Sequence, residues 1–202
     1  MNDKFYDQNK EKQDLMLNGA IEVIAKNGYK HASTDEMVAV SGVSKGLWFH
    51  YFGNKKGLYD FVVHYSVKYA LLELDISIPE DGLDYFELWN SIAMVFIKLM
   101  DKYPYLPYLL VTIYDEKDDE IRALIQDTMF AYAQWIQTRL LKAADALNRR
   151  VDDVDSLNNI IMASLKELLR EYYSEPLFRK ESFLEEFKAQ LKTISMLVFA
   201  QK

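Results

Sequence analysis

The stretch Ser33 to Leu58, STDEMVAVSGVSKGLWFHYFGNKKGL, decides how the rest of the chain is read. Ser33 and Glu36 have the Ser-x-x-Glu spacing of a capping box, which predicts a helix from about Thr34 to Ser41. Met37, Val38 and Val40 supply its apolar side. Gly42 falls where a helix ends in a left-handed residue, a conformation that glycine adopts without steric cost. Ser44 is placed to cap a second helix, and Val43 before it is placed to staple onto Trp48. That second helix carries Lys45, Gly46, Leu47, Trp48, Phe49, His50 and Tyr51. Asn54, Lys55 and Lys56 then lead as a basic connector into a third helix.

Upstream, Leu17, Ala20, Ile21 and Ile24 recur at helical spacing, predicting an amphipathic helix from about Lys10 to Asn27 that Gly28 ends. Together the three short helices bury Ile21, Ile24, Met37, Val43, Trp48 and Phe52 in one small core. Downstream, Leu58, Phe61, Val62, Tyr65, Tyr69 and Leu72 mark the packed side of a linking helix from about Lys56 to Leu74. Pro79 and Gly82 make residues 75–82 a loop. Further helices are expected at Leu83–Asp101, Tyr108–Tyr114, Asp118–Asn148, Val154–Glu175 and Arg179–Ala200. Acids from Glu116 to Glu120 open the longest of these, and Arg149 and Arg150 at its end suit the helix dipole equally. Pro176 separates the last two. No stretch alternates with period two, so the expected fold is all-α.

The chain has 202 residues, half of them hydrophobic, enough for one or two helical domains with a sizeable core. It has no cysteine, so disulfide and thiol chemistry are excluded. No run reaches the eighteen or more apolar residues of a membrane span, and the polar N-terminus has no signal-peptide segment. A cytoplasmic protein is expected. The net charge of -7 lies entirely in residues 61–202, because residues 1–60 hold eight lysines and eight acids. Between Gly42 and Tyr59 there are three lysines and no acid, so the local field favours phosphate. His31, His50 and His64 lack metal-ligand spacing with acidic partners. No GxSxG, HExxH or phosphate-cradling glycine loop is present. Neither catalysis nor a metal or cofactor is expected.

Two short helices about a glycine turn have the form of a helix-turn-helix. The capped first helix, SGVSKG, the aromatic run ending HYF, and NKKGLY resemble the DNA-binding signature of the TetR (tetracycline-repressor) family over most of residues 12–63. The resemblance implies an N-terminal three-helix DNA-binding domain, residues 1–56. A larger helical effector-binding and dimerisation domain, residues 57–202, follows. Matched position by position, it implies DNA contacts from Lys45, His50, Tyr51 and Lys55. Gly46 and Leu47 offer close approach and contact with a thymine methyl rather than hydrogen-bonded readout. The Thr34 hydroxyl, with the exposed amides at the start of the preceding helix, suits phosphate. Phe49 departs from the pattern: the family usually has tyrosine there, so one hydrogen bond to phosphate is missing.

Two further expectations concern the larger domain. Leu157, Ile161 and Leu168 in one helix, and Phe183, Phe187, Leu191 and Ile194 in the next, follow three-to-four spacing. They resemble the family's two-subunit four-helix interface, and a two-fold dimer suits a palindromic operator. Trp89, Phe96, Tyr103, Tyr108, Tyr132 and Trp135 crowd the middle helices, with Arg139 as an anion partner. Tyrosine-rich walls suit a small, mostly apolar effector. The expected function is therefore a homodimeric regulator on double-stranded DNA, a repressor that an effector releases from its operator. The rival reading is a helical adaptor whose aromatic residues are interaction surface or plain core.

Overall fold

The computed structural model describes residues 3–144, 147, 151, 153–174 and 179–200, and every regular element among them is helical. In chain order these are α1 (Asp3–Tyr6), α2 (Lys10–His31), α3 (Thr34–Ser41), α4 (Lys45–Phe52), α5 (Lys55–Ser77), α6 (Tyr85–Lys102) and α7 (Leu106–Thr112). A 3-10 turn (Ile113–Asp115), α8 (Asp119–Ala143), α9 (Val154–Ser174) and α10 (Lys180–Ala200) follow. The expected ends at Asn148 and Glu175, and the roles given to Arg149, Arg150 and Pro176, lie outside the described residues.

The chain packs as two compact units, Met1–Ala70 with Leu99–Tyr132, and Leu71–Lys98 with Ala133–Lys202. In the first unit, α2 lies against both α3 and α7. Met16, Leu17, Ile21 and Ile24 of α2, Met37 of α3 and Trp48 of α4 are all buried. α5 runs on to Ser77, so the expected loop at 75–82 begins later, and two further departures concern the N-terminal helices. α2 does not stop at Asn27: Gly28 takes φ 64° and ψ 179°, and helix resumes to His31 across this kink. The N-terminal segment is also an element of the fold. Phe5 is 0 % exposed, its ring edge-on to Tyr51 at 5.9 Å and to Phe61 at 5.0 Å. The buried Gln13 holds the turn behind it, its Nε2 donating to the carbonyls of Tyr6 (3.1 Å) and Gln8 (2.8 Å).

Asn54 starts α5, its Oδ1 accepting from the Gly57 amide at 2.8 Å. A Cβ at Gly57 would lie 2.5 Å from the Phe52 carbonyl oxygen, too close for any side chain while the backbone stays put. Gly57→Ala is expected to lower stability by about 1–3 kcal/mol, the usual range for overpacking. Denaturant unfolding measures it, and an unchanged midpoint would show that the α4–α5 junction yields freely.

In the second unit α9 packs on α10. Their facing stripes, Leu157, Ile161, Leu165, Leu168 and Leu169 against Phe183, Phe187 and Leu191, are buried. The rings of Phe183 and Phe187 lie parallel, 6.4 Å apart. Tyr85, Trp89 and Phe96 of α6 are likewise fully buried, and the Tyr85 hydroxyl donates to Asn158 Oδ1 on α9.

Candidate nucleic-acid interface

Cap and turn chemistry orient the candidate reading helix. Ser33 Oγ accepts from the Asp35 amide at 3.2 Å, so α3 is capped by the serine expected. The reciprocal half of the capping box is absent, because Glu36 Oε2 instead accepts from Asn27 Nδ2 at 3.2 Å. Gly42 is left-handed (φ 69°, ψ 8°), and its amide donates to Val38. A residue that the motif reading passed over fixes the turn. The buried Ser41 hydroxyl donates to the Met37 carbonyl (2.7 Å) and accepts from the Val43 amide (3.1 Å). Ser44 occupies the N-cap of α4 without a side-chain bond. Val43 and Trp48 do meet, and Trp48 Nε1 donates to the Val43 carbonyl at 3.2 Å.

Of the predicted contacts on α4, Lys45, Gly46 and His50 face outward and Leu47 is half-buried, as is Thr34 at the head of α3. Phe49, left out of the predicted set, shares this outward face and is 39 % exposed. Lys45 Nζ reaches Asp35 Oδ1 at 2.7 Å across the turn. Two other expected contacts stand differently. Tyr51 is buried, turned toward Phe5 rather than outward. Lys55 Nζ donates to the Lys30 carbonyl at 3.1 Å and lies 4.8 Å from the centre of the Tyr29 ring. Burial there pushes its ammonium below its ordinary pKa, with Glu116 opposing the shift. Lys56 is ion-paired with Glu120.

The seven residues expected to hold an effector are divided between the two units. In the first unit, Tyr103 is buried, its hydroxyl donating to Asp14 Oδ1 (2.9 Å) and bonded to the Tyr65 hydroxyl (2.7 Å). Tyr132 is buried too. Tyr108 lines a cavity of about 730 Å³ that Tyr29, Tyr59, Thr112, Ile113 and Glu116 share. In the second unit Trp89 and Phe96 are core. Trp135 Nε1 donates to Asp75 Oδ1 at 2.7 Å, and Arg139 Nη1 donates to the Pro79 carbonyl at 3.0 Å. These groups bind parts of their own unit because the residues near them offer acceptors at close range.

Glu116, which the sequence reading treated only as part of an acidic helix start, organises the large cavity. Its Oε2 accepts from the Tyr29 amide (3.1 Å) and the Tyr59 hydroxyl (3.5 Å), and its Oε1 from the amides of Lys117 (2.9 Å) and Asp118 (3.0 Å). One carboxylate thus ties the end of α2 to α5 and to the start of α8.

The expected dimer residues Leu157, Ile161, Leu168, Phe183, Phe187 and Leu191 are all buried inside one chain, and Ile194 is half-buried. The stripe is the seam between α9 and α10, which each helix needs to cover its own apolar face. The surfaces left open are others: Ile160 on α9 is 58 % exposed, and Met196 and Leu197 on α10 are 55 % and 66 % exposed.

A glycine-turned helix pair with an outward Lys45–Gly46–Phe49–His50 face has the form of a helix-turn-helix. Residues 16–62 match the bacterial regulatory proteins, tetR family. The chain is 31 % identical over 101 residues to an uncharacterized HTH-type transcriptional regulator of Mycobacterium tuberculosis, covering 50 % of this chain and 42 % of that one. The chain therefore spans less than half the length of that relative. The fold resembles the fatty acid degradation regulator FadR from Bacillus halodurans, with a TM-score of 0.65, 15 % identity, and 92 % and 96 % of the two chains covered. It also resembles AibR in complex with isovaleryl coenzyme A and operator DNA, with a TM-score of 0.58, 18 % identity, and 87 % and 95 % covered. Among the described residues, no helix is long and apolar enough to cross a membrane.

Proposed function

We propose that this chain is a transcriptional repressor that binds operator DNA as a homodimer in the cytoplasm and is released by a small, mostly apolar effector. The observation that carries the reading is the outward face of α4. Its buried side, through Trp48 and Tyr51, fixes the helix to the first unit, while Lys45, Gly46, Phe49 and His50 stand free of the core. A helix held by one face and offered by the other is what a major groove admits. Lys45 brings positive charge to the first turn of that helix, and the half-buried Thr34 hydroxyl is placed for phosphate.

For the effector, the cavity beside Glu116 is the better candidate than the scattered aromatic residues. At about 730 Å³ it has the size of a small-molecule site, and Tyr29, Tyr59 and Tyr108 line it beside Ile24, Leu109 and Ile113 and the charged Lys26, Lys30 and Glu116. A ligand there touches Tyr29 and Tyr59, and so acts on the ends of α2 and α5 that flank the reading helix. AibR, similar in fold and solved with isovaleryl coenzyme A and operator DNA, makes acyl thioesters a sensible first class to screen.

The test is a titration against a selected duplex at several salt concentrations. Lys45→Ala is expected to weaken binding and to lower the logarithmic salt slope by about one, the signature of one lost phosphate contact. A slope equal to wild type removes Lys45 from the interface.

A further inference from the structure

Gly46 is a glycine that the protein's own structure does not require. Its φ is not positive, and a Cβ built on it meets nothing within 4 Å. In a helix, glycine costs roughly 1 kcal/mol relative to alanine. Neither backbone nor packing explains the residue, which leaves something that approaches from outside. Three residues on, Phe49 projects from the same outward face, 39 % exposed. The neighbouring aromatic residues are engaged: Tyr51 and Phe52 with Phe5, and Trp48 with Phe52. Phe49 makes no ring contact among the described residues. The face is therefore a notch at Gly46 beside a phenyl wall, with the half-buried Leu47 next to it.

Hydrogen-bonding groups on this face are few. Lys45 is drawn to Asp35, and His50 is the other exposed polar side chain of α4 able to address a base edge. The surface is mainly apolar, and the major groove presents one apolar mark, the thymine C5 methyl. We propose that the notch over Gly46, walled by Phe49, receives a thymine methyl in each half-site, making Phe49 a determinant of operator sequence. The inference rests on the reading that α4 enters the major groove.

The experiment replaces each thymidine of a selected operator, one position at a time, by deoxyuridine, which deletes only the methyl. With the wild-type protein, one position in each half-site is expected to lose about fourfold in affinity, the worth of one buried methyl-sized group. In Phe49→Ala that penalty is expected to vanish. Gly46→Ala is expected to raise the unfolding midpoint, through helix propensity, yet to weaken operator binding about tenfold by filling the notch. A deoxyuridine penalty that persists in Phe49→Ala, or no penalty at any position, overturns the proposal while leaving DNA recognition intact. Operator binding by Gly46→Ala as tight as wild type overturns the notch. Failure to select any preferred duplex overturns the parent reading instead.

Discussion

Phe187→Ala is expected to lower the unfolding free energy by about 3–5 kcal/mol, the range for emptying a buried phenylalanine site. Phe187 is 0 % exposed and stacks parallel to Phe183 on the face of α10 that meets α9. Its surroundings are the buried side chains of two helices of the same chain. The damage should therefore appear as unfolding of the second unit rather than as dissociation of subunits. Phe187→Asp goes further, since an unpaired carboxylate would enter that seam. Denaturant melts followed by circular dichroism measure the loss, with sedimentation run in parallel. A folded, normally stable Phe187→Ala protein that has become monomeric would place the residue at a partner instead.

Leu197→Glu is expected to do the reverse. Leu197 is 66 % exposed and Met196 beside it 55 %, on the open side of α10. A surface substitution of this kind alters stability by about 0.5 kcal/mol or less. In a dimer closed through this face, it places two carboxylates at a two-fold seam. Sedimentation should then report a folded monomer. Operator affinity should drop about a hundredfold, because a lone subunit loses the effective concentration that tethering supplies. An intact dimer of Leu197→Glu at the same protein concentration would move the interface away from α10.

These two substitutions show where sequence was informative and where it was not. Three-to-four spacing identified the apolar stripe of α9 and α10 because period reports which residues share a face. It cannot report whether that face meets a sister helix or a second subunit, and here the sister helix takes it. Ser33 and Gly42 were legible because caps and turns are local chemistry, settled within a few residues. Phe5 was not. It sits beside Tyr6 in an otherwise polar segment, and its burial depends on Phe61, far along the chain on α5. The same long-range packing draws Tyr51 inward and leaves Phe49 outside, although both are aromatic residues of one short helix. The expected effector residues are a related case: composition shows that aromatic side chains abound, while only packing decides which line a cavity and which fill the core. Glu116 was invisible as a hub because three of its partners are backbone amides.

On the proposed reading, α4 recognises double-stranded DNA by sequence. Selection from a random duplex pool, followed by footprinting of the enriched sequence, tests this most directly. The expected product is a two-fold symmetric site whose half-sites are centred about 10–10.5 base pairs, or a multiple of that, apart. Protection should cover both halves and disappear on His50→Ala combined with Phe49→Ala, with the helical content of the protein unchanged. A pool that shows no enrichment, or a footprint that the paired substitution leaves intact, would contradict the assignment of α4 as the reading helix.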